Sequence, residues 1–547
     1  MSNAIRNYAG TQKAARTATP QMRRTPGRTD EVKNNAGGFV FEVSPKNRLE
    51  RFLILGTDGG TYYVKQDKLT EQNAKFVIDL IRKDEALVLN TVVEVSAAGR
   101  AAKNTPALFV MALLMTHGTN KAATRAALPG VARTSTHLFE FASYVDALGG
   151  WGRAKRAAVA GWYENKDANA LAYQAVKYRG GREGWTHRDL FRKSHPVGVD
   201  KAVGEFILSA GGYQSGAPAI LDGFQAMQNA GTVNEVVRVL NEYKSLPWET
   251  IPTQFLTDEK VWKTLFYNGA IGQTALLRNV SRFEKIGAFK DLVFAGDVAA
   301  ALADSERIVK GRMHPVAYAN ALGVYGNGGA PKSYDPYGYS GYGRDAGTRF
   351  TPNSKVLGAL EAGFYNSFAA VEPANKATML SIDVSGSMTW AAPAGLVGLN
   401  YLEAAAVMAM VTLRTEPYAM INAFAGSMQR VAISDSDNFQ TVLRKFSNLN
   451  FGRTDCSLPM VYATKEKLGI DTFAVYTDNE TYAGVIKPSQ ALVKYRQASG
   501  RGARLAVFGM AATPFTIADP KDTGMMDFVG FDSNAPKVFA DFSAGRI

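Results

Sequence analysis

Cysteine is almost absent from this chain of 547 residues, which contains only Cys456. A single thiol cannot form an internal disulfide, so the sequence favours a reducing compartment over secretion. No stretch approaches the run of about 18 uncharged apolar residues that a membrane-spanning helix needs, and the N-terminus lacks the apolar core of a signal peptide. We therefore expect a soluble, cytoplasmic protein with no membrane partner.

Histidine is also scarce, with five scattered residues and none beyond residue 314. Five such residues cannot supply a zinc cage. A hydrolase needs a general base near neutrality or an activated nucleophile. Cys456 has no histidine partner and is interpreted as a small buried residue rather than a reactive thiol. We predict no catalytic residue and expect a protein that is not an enzyme.

Positive charge is present but unevenly distributed. The chain has 62 Lys and Arg against 49 Asp and Glu, a net charge of +13, of which residues 375–547 hold only +1. Residues 1–29 and residues 153–193 each contribute +6. Such concentrated patches suggest an anionic partner, because contacts with several phosphates release several counterions. A solubilising tail plus a solvated helix face is an equally weighted alternative.

The length argues for more than one domain. Residues 1–36 lack apolar periodicity and predict a basic flexible tail. From about residue 45 to 320 apolar side chains recur three and four apart without strand–helix alternation. This spacing predicts that the domain of residues 37–374 is an α-solenoid of stacked helix pairs. The segments that show this spacing best are Ala107–Met115, Lys155–Tyr163, Ala170–Tyr178, Val233–Leu240 and Val261–Leu265.

One stretch of this region, residues 325–347, contains five tyrosines spaced by glycines. Glycine at this density opposes a helix, so we predict a structural loop. The alternative is a segment whose rings stack on unpaired bases.

The pattern changes over residues 375–547, where short apolar runs alternate with helical periodicity. Predicted strands lie at Ala377–Asp383, Tyr418–Phe424, Asp471–Tyr476 and Arg504–Phe508, and predicted helices at Leu402–Leu413, Phe439–Phe446, Leu458–Leu468 and Pro488–Gln497. This alternation predicts a doubly wound parallel sheet covered on both faces. The fold class is therefore mainly α plus α/β.

Ligands of such sheets bind at the carboxyl ends of the strands. Two carboxylates and three hydroxyls fall there, on Asp383, Ser385, Ser387, Thr454 and Asp478. Hard oxygen donors of this kind suit Mg²⁺ or another divalent cation. Ordinary helix capping is the alternative. The five positions resemble the metal-ion-dependent adhesion site of von Willebrand factor A domains, which implies direct contacts from Ser385, Ser387 and Thr454 and water-mediated ones from the aspartates.

Further motifs extend the resemblance over residues 40–547. They are Leu49–Val64, Thr136–Phe139, Trp151–Arg153, Gly184–Leu190, Thr274–Asn279, Arg312–Pro315, Gly452–Met460, Thr477–Glu480 and Phe515–Asp519. In this order they resemble the Ro ribonucleoprotein family, whose helical half is the TROVE module. The resemblance implies a monomeric ring of HEAT-like helical repeats, closed by the A domain around a central hole.

The resemblance also implies a function. Family members bind small noncoding Y RNAs on the outer face and admit the single-stranded 3′ ends of misfolded RNAs into the hole. They act in RNA quality control and stress responses, in bacteria together with an exoribonuclease, and are not themselves nucleases.

The family contacts Y RNA in the segment around His187. That role is carried over to Lys177, Arg179, Arg182, His187 and Arg188. A structural role for His187 is the alternative. Two other hypotheses remain open at this point. One is an adhesion or chelatase-type factor that captures an acidic partner at the metal site, and the other is a metal-dependent nuclease.

Overall fold

A computed structural model describes residues 18–55, 69, 74–209, 217–329, 349–368, 371–390, 399–447, 449 and 452–547. Its N-terminal half is an array of short α-helices. They span Pro45–Leu55, Lys75–Lys83, Glu85–Ala98, Thr105–His117, Lys121–Val131, Ser135–Ala147, Arg153–Glu164, Ala168–Lys177, His187–Ser194, Lys201–Leu208, Ala219–Gln228, Val233–Glu242, Glu259–Tyr267, Gln273–Lys285, Leu292–Ala303, Ser305–Lys310, Pro315–Gly326 and Ser354–Asn366. Short 3₁₀ turns lie at Trp248–Thr250, Thr253–Thr257 and Ala288–Lys290.

The array is stacked as the apolar spacing predicts. The helix Thr105–His117 packs against Ser135–Ala147, and Lys121–Val131 packs against Arg153–Glu164, so each helix meets the next but one. Polar caps start many of the helices, and Thr186 and Thr232 each form a reciprocal capping box. The α-solenoid prediction is confirmed.

The predicted loop over residues 325–347 is wrong at its start. Tyr325 belongs to the helix Pro315–Gly326, where it is fully buried. Its hydroxyl donates to Glu284 at 2.5 Å and accepts from the amide of Asn353 at 3.0 Å. Residues 330–348, with the other four tyrosines of the stretch, lie outside the described part of the chain.

Nine strands are present in the described residues. They are β1 (Glu31–Lys33), β2 (Phe39–Glu42), β3 (Thr378–Asp383), β4 (Ala419–Phe424), β5 (Met428–Arg430), β6 (Thr472–Thr477), β7 (Arg504–Gly509), β8 (Phe515–Thr516) and β9 (Met525–Val529). The main sheet has the order β5-β4-β3-β6-β7-β9, parallel except for the antiparallel edge strand β5. The helices of this half are Ser387–Trp390, Tyr401–Thr415, Phe439–Ser447, Leu458–Lys465, Pro488–Ser499 and Ala535–Ala544. The prediction of a doubly wound domain is confirmed.

The prediction of a flexible tail is wrong for residues 18–36. This segment crosses the A domain, and β1 and β2 form an antiparallel sheet with β8. Gln21 and Glu31 are buried, and Glu31 pairs with the buried Lys487 at 3.2 Å. The partners of this segment lie more than 400 residues further along the chain, so its burial leaves no apolar periodicity within the segment itself. Residues 1–17 lie outside the described part.

Both ends of the helical array meet the A domain. The first helix packs on β9, where buried Arg51 pairs with Asp527 at 2.6 Å. The helix Ser354–Asn366 contacts the domain through the rings of Phe364 and Phe439, 5.5 Å apart.

Early and late helices also meet each other directly. The backbone carbonyl of Arg100 lies 3.0 Å from Nε2 of His314, and the Arg100 guanidinium lies 2.9 Å from Asp532 of the A domain. These contacts close the array into a ring. No helix of the described residues has the length and apolar character needed to cross a membrane.

Candidate metal centre and nucleic-acid interface

The five predicted metal ligands lie on neighbouring elements at one edge of the main sheet. Asp383 ends the central strand β3, and Asp478 follows its neighbour β6. After β3 the chain continues to β4 on one side and later to β6 on the other, so this edge is a topological switch point. Ser385 and Ser387 follow β3 at once, with their hydroxyl oxygens 3.1 Å apart.

Hydrogen bonds hold the two carboxylates in place. Asp383 accepts from the amide of Ser385 at 2.9 Å and from the hydroxyl of Thr477 at 2.7 Å. Asp478 accepts from the amide of Glu480 at 3.0 Å through Oδ1. Burial and the neighbouring Asp478 carboxylate raise the pKa of Asp383, and burial raises the pKa of Asp478. Two interacting buried carboxylates favour either protonation of one of them or a bound cation.

The donor set fits a hard divalent cation. Oδ2 of Asp478 is buried and has no hydrogen-bond partner among the described residues, which leaves this oxygen able to coordinate a ligand. The neutral hydroxyls and the two carboxylates offer only oxygen atoms as ligands, and Mg²⁺ prefers oxygen ligands. No cluster of three or more His, Cys, Asp or Glu side chains suited to a metal occurs in the described residues, so a cation here would depend on the hydroxyls and on water.

The loop that carries Thr454 joins the same edge. Thr454 is buried, and its carbonyl accepts from the amides of Tyr482 and Ala483 in the loop after β6, at 3.1 and 3.0 Å. Cys456 is fully buried with Sγ 3.6 Å from the hydroxyl of Thr477, and burial raises the pKa of its thiol well above the usual range. The prediction of a buried cysteine is confirmed.

The predicted RNA-binding residues lie around one turn, defined here as the basic turn (residues 177–188). Arg182 and Trp185 exchange two backbone hydrogen bonds of 2.8 Å, and Glu183 and Gly184 between them both have positive φ. Gly181 also has positive φ, and a Cβ there would collide with the Trp185 carbonyl. This tight turn presents Arg182 to solvent.

Three other predicted cations flank that turn. Arg188 is exposed in the first turn of its helix, and Arg179 is exposed with its guanidinium 5.1 Å from the ring centre of Phe206. Lys177 is half-buried, and its Nζ lies 3.8 Å from Glu249. The structure therefore brings Arg179, Arg182 and Arg188 to the surface together, while Lys177 shares its charge with a carboxylate.

His187 is not on that surface, and its assignment as an RNA contact is wrong. The side chain is 4% exposed. Nδ1 lies 3.0 Å from the hydroxyl of Tyr163, and Nε2 lies 2.8 Å from the hydroxyl of Ser135. Burial lowers the pKa of His187 to about 3, so the imidazole is neutral at physiological pH. These contacts agree with the alternative prediction, a structural role for His187.

A groove beside the basic turn was not predicted as a site. It has a volume of about 1030 Å³, and we call it the arginine groove because Arg125, Arg153 and Arg156 line it. All three are exposed, and none forms a salt bridge with a carboxylate of the described chain. Trp151 at its edge packs on Trp185 of the basic turn, with ring centres 5.3 Å apart. The groove and the turn are thus adjoining surfaces.

A second concavity, the central cavity, lies between the early and late helices that meet at Arg100 and His314. Its volume is about 650 Å³, and its lining comes from residues 95–140 and 274–324. Four cationic side chains line it against one carboxylate, Glu140, and they belong to Lys103, Arg133, Arg278 and Arg312. His137 also faces it with Nδ1 unpartnered among the described residues. The scatter of these residues along the chain left no local signal for sequence reasoning.

These features define a class of protein: a closed ring of stacked helices joined to an adhesion-type A domain. A family model described as the TROVE domain matches residues 32–214 and 241–324, and the Ro60 vWA domain model matches residues 377–543. The chain belongs to the Ro family.

Full-length relatives agree with this membership. A protein named RNA-binding protein RO60 from Deinococcus radiodurans is 40% identical over 544 residues, covering 97% of this chain and 99% of the relative. One of the same name from Caenorhabditis elegans is 32% identical, covering 96% and 93%. The crystal structure of the Deinococcus radiodurans RO (RSR) protein matches with a TM-score of 0.66 at 38% identity, covering 92% of this chain and all of that one.

Proposed function

We propose that this protein is an RNA-binding scaffold without catalytic activity. It binds a Y RNA-like small noncoding RNA on its outer face and takes the single-stranded 3′ end of a misfolded RNA into its central cavity. The observation that carries this proposal is the pair of separate cationic surfaces, one formed by the basic turn and the arginine groove and the other by the lining of the central cavity. The names of its relatives, RNA-binding proteins across nearly the full length, support the same ligand class.

The outer surface suits a structured RNA. Arg179, Arg182 and Arg188 are exposed around a rigid turn, and the arginine groove continues the positive surface. Guanidinium groups bind phosphate oxygens in bidentate fashion, and double-stranded RNA is recognised mainly through its backbone and shape. Lys193, whose Nζ lies 5.1 Å from the ring centre of Trp151, adds a further charge where the turn and the groove meet.

The central cavity suits a single strand instead. Its volume of about 650 Å³ suits a short single-stranded stretch rather than a double helix. Arg133, Arg278 and Arg312 form no salt bridge with carboxylates of the described residues, so their charge is available to phosphate. Burial and nearby Arg312 lower the pKa of Arg133, the sign of cations crowded around a space that favours an anion.

The cellular role follows as part of the proposal. A cytoplasmic ring that holds a noncoding RNA and a free 3′ end would act in RNA quality control and stress responses by presenting that end to an exoribonuclease. A divalent cation held by Asp383, Ser385, Ser387, Thr454 and Asp478 would stabilise the A domain or recruit a protein partner. We propose a monomeric ring, because the described contacts close it within one chain.

Filter binding of a small structured RNA against an equal mass of duplex DNA tests this function. We expect a preference for RNA and a log–log salt slope of about −3 to −4, because roughly four phosphates would be contacted. Equal binding of both nucleic acids, or binding independent of salt, would contradict it. Binding of an acidic protein segment at the metal site in the absence of any RNA affinity would favour the adhesion-type alternative.

A further inference from the structure

The side-chain amide of Gln21 makes four hydrogen bonds, all to residues of the A domain. Gln21 is 0% exposed although it lies in a segment that sequence patterning predicts to be a tail. Its backbone amide donates to the carbonyl of Gly484 at 2.9 Å, and its carbonyl accepts from the amide of Phe39 at 2.8 Å. All of its hydrogen-bonding groups therefore have partners on the A domain or on β2.

The side-chain amide of Gln21 joins the two loops that carry Thr454 and Asp478. On one side Nε2 donates to the carboxylate of Asp455 at 2.7 Å, next to Thr454. On the other side Oε1 accepts from the hydroxyl of Thr481 at 2.6 Å and from the amide of Gly484 at 3.1 Å. The loops are more than 20 residues apart in sequence, and Gln21 spans them from the other end of the chain.

The hydroxyl of Thr481 forms a second link between the two loops. The amide of Cys456 donates to Oγ1 of Thr481 at 3.0 Å, so this oxygen connects the Thr454 loop, the Asp478 loop and Gln21. The packing there leaves no spare room. A Cβ on Gly484 would collide with both the Gln21 amide and the Asp455 carboxylate. The contact is therefore a built feature of the fold rather than a loose surface contact.

The rest of the segment holds the Asp478 loop at further points. Asn34 donates to the carbonyls of Asn479 and Thr481 at 3.1 and 2.9 Å. Asn35 donates to the carboxylate of Glu480 at 2.6 Å. The segment thus fixes the backbone on the C-terminal side of Asp478 while Gln21 fixes its distance from Thr454.

We propose that Gln21 is a positioning residue for the divalent cation site and sets its affinity without touching the ion. This inference rests on the proposed cation site. Mg²⁺ requires near-ideal octahedral geometry, so its affinity falls when ligands on separate loops lose their fixed spacing. Loss of a group that orients metal ligands costs about 10–100-fold in affinity.

Titration calorimetry of the full chain with Mg²⁺ alone tests the inference. Gln21→Ala should weaken Mg²⁺ binding by about tenfold or more. Gln490→Ala is the matched control. Gln490 exchanges hydrogen bonds with Thr19 of the same segment at 2.9 and 3.2 Å but has none with the two metal-site loops. It should leave Mg²⁺ affinity within about twofold of the unaltered chain, because it loosens the segment away from the site.

Hydrogen exchange of the metal-free protein gives a second readout that does not depend on the ion. In the metal-free protein, hydrogen exchange at the amides of Gly484 and Cys456 should be faster in Gln21→Ala than in Gln490→Ala. Gln21 accepts directly from the Gly484 amide and holds the Thr481 hydroxyl that accepts from the Cys456 amide. If Gln21→Ala does not fold, Thr481→Val removes one hydroxyl of that network at nearly constant volume and should weaken Mg²⁺ binding in the same direction.

The outcomes separate this inference from the site on which it rests. An unaltered chain that binds no Mg²⁺ would overturn the proposed cation site and the inference with it. An unaltered chain that binds Mg²⁺ while Gln21→Ala binds equally well would overturn the inference alone. Equal losses in Gln21→Ala and Gln490→Ala would also overturn it, since they would show a general loosening of the segment.

Discussion

Replacement of His187 distinguishes a structural residue from an RNA contact within a basic segment. Its imidazole is buried and bridges Tyr163 and Ser135. His187→Ala should destabilise the protein by about 2–4 kcal/mol, because it leaves a cavity and removes a partner from each hydroxyl. RNA affinity measured well below the melting temperature should change little, since the side chain is inaccessible.

Arg188, the exposed neighbour of His187, is expected to behave in the opposite way. Arg188→Gln should keep the free energy of unfolding within about 0.5 kcal/mol, as is usual for an exposed position. It should reduce the salt slope of structured RNA binding by about 0.7–0.9, the loss expected for one phosphate contact. Urea unfolding and filter binding at several salt concentrations measure both quantities in the two variants.

The pH dependence of stability gives an independent check on His187. Its pKa is about 3 in the folded protein against 6.5 for an ordinary histidine. Below pH 6.5 the unfolded chain binds a proton at His187 that the folded chain does not. The contribution of His187 to the free energy of unfolding is therefore fully present above pH 6.5 and is lost as the pH falls towards 3. The slope is about 1.4 kcal/mol per pH unit.

His187→Phe keeps the bulk and removes the titration, so its unfolding free energy should fall less steeply than that of the unaltered chain between pH 6 and 4. Other buried histidines are common to both proteins and cancel in the comparison. An unchanged pH slope together with a large loss of RNA affinity would refute the structural assignment.

Three further changes have expected outcomes. Joint replacement of Ser385 and Ser387 with Ala should abolish Mg²⁺ binding in calorimetry while RNA binding persists; retained Mg²⁺ affinity would show that the cation lies elsewhere. Arg278→Gln with Arg312→Gln should weaken an unpaired 3′ tail more than a structured stem in competition binding, and equal losses would argue against two sites. Arg51→Met should cost about 3–5 kcal/mol in urea unfolding because it strands a buried carboxylate on β9, and a neutral effect would contradict that pairing.

Local sequence patterns predict those parts of the fold that depend on local spacing. The apolar runs that end at Asp383 and precede Asp478 predict parallel strands, and the carboxyl ends of parallel strands meet at one edge. That geometry brings the candidate cation ligands together in the structure as in the prediction. The helical array follows in the same way from apolar residues three and four apart.

The errors occur where strand pairing is distant in sequence or where a role was carried over to a whole segment from the family resemblance. Strands β1, β2 and β8 have only two to four residues each, and β2 pairs with β8 across more than 470 positions, so no local period indicates them. The RNA-binding role of His187 was carried over from the family resemblance of its segment. Its spacing from Leu190 and Ser194, which are buried on the same helix face, could have indicated the interior.

We propose that the basic turn and the central cavity hold different parts of one RNA. Photo-crosslinking of a structured RNA with 4-thiouridine placed either in its stem or at its unpaired 3′ end, followed by mass spectrometry, tests this most directly. The stem label should crosslink around residues 177–188, and the 3′ label should crosslink to the cavity lining near Arg278 and Arg312. Both labels on one surface, or a 3′ label on the A domain, would contradict it.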